Sequence, residues 1–122
     1  MGVLEKIEAL IAGLPDVPGA IMHNTMDSEP DNMVGLFEYP GAGPQQTFGD
    51  AEGHGEPIET VMVQVRVRRI AAQDAAENIS AIDKALAADG AIRRTSSIFP
   101  IGRDDHNPPR WEFTANYEVA IS

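Results

Sequence analysis

The chain has no cysteine among its 122 residues. That excludes a disulfide scaffold, a thiolate zinc site and a cysteine nucleophile. No apolar run approaches the roughly 18 residues that a membrane-spanning helix needs. The opening residues, Met1-Gly2-Val3-Leu4-Glu5-Lys6, lack a basic segment followed by a purely apolar one. No export signal is therefore expected, and the protein reads as soluble with no membrane partner. Neither Gly-x-x-x-x-Gly-Lys-Ser/Thr nor Gly-x-Ser-x-Gly occurs, which removes a common phosphate cradle and the hydrolase nucleophile elbow. Basic residues are scarce in one half only. Up to residue 60 there are eleven acids and one base, Lys6; from Val61 onward there are eight of each. The net charge of −10 thus belongs to the first half. Such a balance repels nucleic-acid backbones. It serves solubility, or it turns an acidic surface toward something.

What is present is ordinary globular material: 43% apolar and 23% charged residues, which argues against disorder throughout. The length suits one domain, residues 1–122. Leu4, Ile7, Leu10, Ile11 and Leu14 recur at helical spacing and predict a helix over Val3 to Leu14, stopped by Pro15. Asp16 to Asn32, with Pro18 and Pro30, reads as ordered loop or short extended pieces. Met33 to Tyr39 reads as a strand, with Val34 and Leu36 on one face and Phe37 and Tyr39 on the other. Pro40 to Pro57 is rich in glycine and acid, and Phe48 is its one large apolar residue; such a segment reads as a flexible functional loop. Glu59 to Arg69 is the clearest strand: Val61, Val63, Val65 and Val67 share a face, and Arg66 and Arg68 share the other. The two strands suggest a long hairpin.

A second helix is expected over Asp74 to Ala88. Asp74 and Glu77 have the spacing of a capping box, and Gly90 stands where a C-terminal cap is wanted. Ile79, Ile82 and Leu86 form its apolar stripe, and its alanines permit close approach to a sheet. Ala91 to Phe99 reads as a weak strand, Pro100 to Pro109 as a turn, and Arg110 to Ile121 as a strong last strand. On that last strand Trp111, Phe113, Ala115, Tyr117, Val119 and Ile121 oppose Arg110, Glu112, Thr114, Asn116 and Glu118. The expected fold is α+β in the order helix-strand-strand-helix-strand-strand. It has about four mostly antiparallel strands, two helices packed on one face, and a long extended hairpin loop.

Chemical motifs are sparse. His23, His54 and His106 all fall in expected loops and read as solvent-exposed. Asp104, Asp105 and His106 make a divalent-metal site imaginable, and with it a small metal-dependent enzyme, but no ligand spacing supports one. Many carboxylates could pair as acid and base, and none is singled out. No catalytic residue, cofactor or metal ligand is assigned. Arg66 and Arg68 with Glu112 and Glu118 could form cross-strand pairs, either within one chain or between subunits; Arg103 and Arg110 bracket the last turn.

Several segments, in order, resemble one family. They are the helix ending Leu14-Pro15, then Pro30-Asp31, Glu38-Tyr39-Pro40-Gly41 and Thr47-Phe48-Gly49. Val63-Gln64-Val65-Arg66-Val67-Arg68, the alanine-rich second helix, Gly102-Arg103-Asp104 and the run from Trp111 to Val119 follow. Together they resemble the minor capsid proteins of tail-terminator type from long-tailed double-stranded DNA phages. The chain departs from that pattern around Gly53, where it is richer in glycine and acid. The resemblance implies a structural virion protein and no enzyme. It would be a homo-oligomeric ring, a hexamer, at the head-tail junction. Such a ring caps the tail tube protein, stops its polymerisation, joins it to a head-completion or neck protein, and lets double-stranded DNA pass. A neck or head-completion role is the other station the resemblance allows. On this reading Phe48, Arg66, Arg68, Arg103, Arg110, Glu112 and Glu118 are expected at subunit interfaces, and Asp50, Glu52 and Glu56 on an acidic channel or loop surface.

Overall fold

A computed structural model describes residues 2–39 and 60–120. Within them lie two helices and six strands: α1 (Val3–Ile11), β1 (Ile21–His23), β2 (Met33–Tyr39), β3 (Thr60–Arg69), α2 (Ala72–Ala87), β4 (Ile92–Arg94), β5 (Phe99–Arg103) and β6 (Trp111–Ala120). The expected glycine-rich loop, with Phe48, Asp50, Glu52, His54 and Glu56, lies outside the described residues, as does Ile121.

Valine alternation makes β3 the axis of the sheet. Val63, Val65 and Val67 are buried on one face, and β3 pairs antiparallel with β2 on one side and β6 on the other. The β2–β3 pairing is the expected hairpin. The strand order is β1-β2-β3-β6-β4, and β5 also pairs with β6. The far edge of β6 is shared: β4 takes the Tyr117–Val119 end and β5 the Trp111–Thr114 end. Both helices pack on the valine face. Leu4, Ile7 and Ile11 of α1 and Ala75, Ile79, Ile82 and Leu86 of α2 meet Val34, Leu36, Ala115, Tyr117 and Val119. The α+β class and the one-sided helix layer match expectation.

Four details are corrected. The sheet has six strands and is mixed, because β1, inside the stretch expected as loop or short extended pieces, runs parallel to β2. Helix α1 stops at Ile11, short of Leu14. The residue before a proline is disfavoured in helical conformation, so Leu14 leaves the helix and packs against the core as a turn residue. Helix α2 begins at Ala72 with Ala71 as a cap that lends no side chain, and no capping box forms. Asp74 instead lies in the first turn, where a negative charge complements the helix dipole, 3.8 Å from the Arg69 guanidinium. At the other end Ala88 is the cap, and the Asp89 carboxylate accepts the Ala91 amide at 2.9 Å, doing what was expected of Gly90. Finally, the weak strand over 91–99 is two strands. β5 occupies the first part of the expected turn over 100–109; Pro100 suits an edge strand, and the register shifts between Pro100 and Gly102, whose φ is +120°.

Candidate functional site

The face of the sheet opposite the helices has two ends of different character. Cross-strand register sets them out. Met33, Arg68 and Glu112 lie abreast at one end; then come Gly35, Arg66 and Thr114; then Phe37, Gln64 and Asn116; then Tyr39, Met62 and Glu118 at the other end.

The first end is covered by two segments, residues 24–32 and 104–110. Arg68 is 6% exposed, and its Nη2 donates to the carbonyls of Asp27 and Pro30, both at 2.7 Å. Arg110 is equally buried; its Nε donates to Asp104 Oδ2 at 2.8 Å and its Nη1 to the Ser28 carbonyl. Asp104 Oδ1 also accepts the amides of His106 and Arg110. Burial opposes ionisation of Asp104, but the hydrogen bonds from Arg110 and His106 outweigh it and hold its carboxyl below the ordinary value. Glu112 goes the other way: burial pushes its carboxyl up despite Arg66 at 3.5 Å and Arg68 nearby. Burial, then the neighbouring Arg110 charge, lowers the pKa of Arg68. Met26 closes over Gly35, where a Cβ would lie 2.6 Å from the Met26 sulfur.

His106 is half-buried, with its ring nitrogens 3.5 Å from Glu29 and 3.6 Å from Asp31. His23 is half-buried as well, lies on β1 and bonds Glu8 at 2.8 Å. His106 keeps the expected loop position but is half-buried, and His23 lies on a strand; carboxylates on neighbouring segments draw both in. Asp104, Asp105 and His106 are not brought together as a ligand set. Among the described residues the grouping with metal-ligand spacing is Glu29, Asp31 and His106, within 4.8 Å of one another. Arg110 Nη1 lies 3.6 Å from Asp31, so a fixed cation already balances that group.

The second end has no covering segment among the described residues. Tyr39 is 43% exposed. The Arg66 guanidinium stacks 4.8 Å over the Phe37 ring, and its Nε donates to Gln64 Oε1 at 2.7 Å. Gln64 Nε2 donates to Asn116 at 3.0 Å. Arg93 reaches Glu118 at 2.5 Å across the edge. The result is a row of half-buried amide, aromatic and guanidinium groups that ends at the exposed Tyr39.

Of the expected interface residues, Arg66 and Glu118 sit on or beside the second end. Arg103 is exposed on β5, and Arg68, Arg110 and Glu112 belong to the covered end. Phe48, Asp50, Glu52 and Glu56 lie outside the described residues. Sequence reasoning missed Asp31, Phe37, Gln64 and Asn116. Gly35, a gap in an otherwise large-residue strand, was the available signal that something lies against β2. No curated protein matches the chain. A family model described as bacteriophage tail terminator protein matches residues 11–122.

Proposed function

The chain belongs to the bacteriophage tail terminator family, and from that premise we propose that its copies close into a ring, a hexamer, that caps the finished tail tube. Membership makes it a virion tail protein that meets other tail components. The proposed ring halts tube polymerisation, joins the tube to a head-completion or neck protein at the head-tail junction, and leaves a channel for double-stranded DNA. It acts by shape, without catalysis.

The family match over residues 11–122 carries this reading. The second end of the sheet supports it. Its aromatic and arginine groups have the composition of an interface, and Arg66 stacks on Phe37. Arg66 and Glu118 there, and Arg103 on β5, are the proposed subunit contacts, with Phe48 adding an apolar anchor. Asp50, Glu52 and Glu56 are proposed to face the channel, where negative charge keeps DNA from sticking.

Electron microscopy of particles made without the protein tests the reading. Overlong or unjoined tails are the expected outcome. Tails of normal length beside leaking heads would move the protein to a neck station and overturn the terminator role. Native mass spectrometry of the protein bound to tube ends should show a multiple of six copies.

A further inference from the structure

Toward the Glu38 end of β2 the sheet is four strands wide, because β1 pairs no further than Leu36 and β5 reaches along β6 only as far as Thr114. There β2 and β4 are the two edges, and two cross-strand rows run between them. On the helix side the row is Glu38, Val63, Tyr117 and Arg94; on the opposite side it is Tyr39, Met62, Glu118 and Arg93. Each row ends on β2 in a carboxylate or an aromatic ring, and on β4 in a guanidinium. Glu38 is exposed, as is Tyr39. Arg93 and Arg94 lean on Glu118 and Asp83, but the arginine side chains are 77% and 40% exposed and their acids 18% and 24%. The outermost charge on the β4 edge is therefore positive. On the β2 side it is negative, from Glu38 and from Glu8, which holds His23 of β1.

We propose that a second copy of the chain docks here edge to edge, its β4 lying antiparallel beside the Glu38–Tyr39 end of β2, with Arg94 on the Glu38 carboxylate and Arg93 over the Tyr39 ring. The proposal rests on the ring reading above and names one of its contacts. Charge selects the partner edge, and arginine over a tyrosine face adds cation–π attraction. Strand direction makes the two pairs simultaneous: β2 steps from 38 to 39 as β4, running the opposite way, steps from 94 to 93. The backbone agrees. The Glu38 amide donates to the Asn24 side chain, on the side away from β3, so the Glu38 carbonyl also faces that way. Ala91 and Thr95 bond inward to β6, and by alternation the Arg94 amide points outward, able to donate to that carbonyl. Distance requires a second copy: β2 and β4 lie three strand spacings apart in one sheet, about 14 Å, so no chain brings its own Arg94 to its own Glu38. A contact between opposite edges of identical subunits is head-to-tail, the geometry that closes into rings.

Disulfide trapping tests this, since the chain has no cysteine of its own. Full-length Glu38→Cys labelled with heavy nitrogen is mixed in equal parts with unlabelled Arg94→Cys on tail tube ends and oxidised, and linked peptides are read by mass. Tyr39→Cys with Arg93→Cys is the second pair; each pair leaves the other proposed contact intact. Gln73→Cys on the outer face of α2, mixed with Glu38→Cys, is the control. Both proposed pairs should give links between heavy and light chains at about ten times the control yield, because docking raises the effective concentration of the two thiols. Yields no higher than the control while sedimentation still shows copies on the tube ends would overturn the edge contact and leave the ring standing. Links that join position 38 to position 38 in preference to position 94 would do the same, since they require a symmetric contact. Copies that never associate, alone or on tube ends, would overturn both.

Discussion

Gly35 is the residue through which segment 24–32 rests on the sheet. A methyl group there would press on the Met26 sulfur and lie 2.9 Å from the Phe37 ring. Gly35→Ala should cost about 1–3 kcal/mol, since overpacking forces a neighbour off its rotamer. Urea midpoints give the loss, and faster amide exchange over residues 24–32 should accompany it. Asp104 offers a pH test whose sign is fixed. Its folded-state pKa lies below the ordinary value, so the stability it contributes is present above about pH 4 and fades as pH falls through the folded value. Asp104→Asn leaves the buried Arg110 guanidinium without its charged acceptor and should cost about 1–2 kcal/mol at neutral pH, a figure held down by the carboxylate's partial exposure. The gap between the two proteins should close in acid. An unchanged gap at about pH 2 would show that the Arg110 contact does not depend on charge. Glu112 acts oppositely: its raised pKa means that folding favours the protonated form, so its contribution declines as pH rises through the ordinary carboxylate range toward the folded value.

Helix α2 is tied to its surroundings by more than its apolar stripe. Asn78, 4% exposed, accepts from Arg69 Nη1 of β3 and donates to the Asp16 carbonyl at 3.1 Å, which joins helix, sheet and the turn after α1. Asn78→Ala should destabilise by about 1–3 kcal/mol and speed exchange in residues 12–20; Gln73→Ala on the outer face should do neither. This difference shows which elements could be read in advance. The valine alternation of β3, the alternation of β6 and the Ile79-Ile82-Leu86 stripe are local patterns, and local patterns gave the right layers. β1 is three residues long and exists because Ile21, Met22 and His23 find Val34, Gly35 and Leu36 alongside, a pairing between separated segments that no local period announces. The same holds for the candidate site. Arg68 reads as a surface residue of a polar strand face, and becomes buried only because the carbonyls of Asp27 and Pro30 arrive from some forty residues earlier in the chain. Arg66 needed no such arrival, and its place on the polar face could be read directly from the alternation.

Across the molecule, charge is divided by position in the chain. Residues 2–39 carry seven acids and one base, residues 60–120 eight of each, and residues 40–59 four acids alone. In the proposed ring this asymmetry would be repeated around an axis, and like charges near one another would add their fields within a Debye length of about 8–10 Å. Duplex DNA passing the proposed wall would meet repulsion from all sides, which favours sliding over binding. Reversing Asp50, Glu52 and Glu56 to lysine changes two charges at each of three sites and takes the chain from −10 to −4. Six copies would then present eighteen lysines where acids stood. The release measurement is made on the particles that complete assembly. In them DNA ejection should slow, and raising the salt concentration should restore part of the rate, because screening weakens exposed contacts to the backbone most. Single-particle ejection traces give both numbers. A rate equal to that of unmodified phage at low salt would place these acids away from the channel, and a slow rate indifferent to salt would point to a distorted ring in place of an adhesive wall.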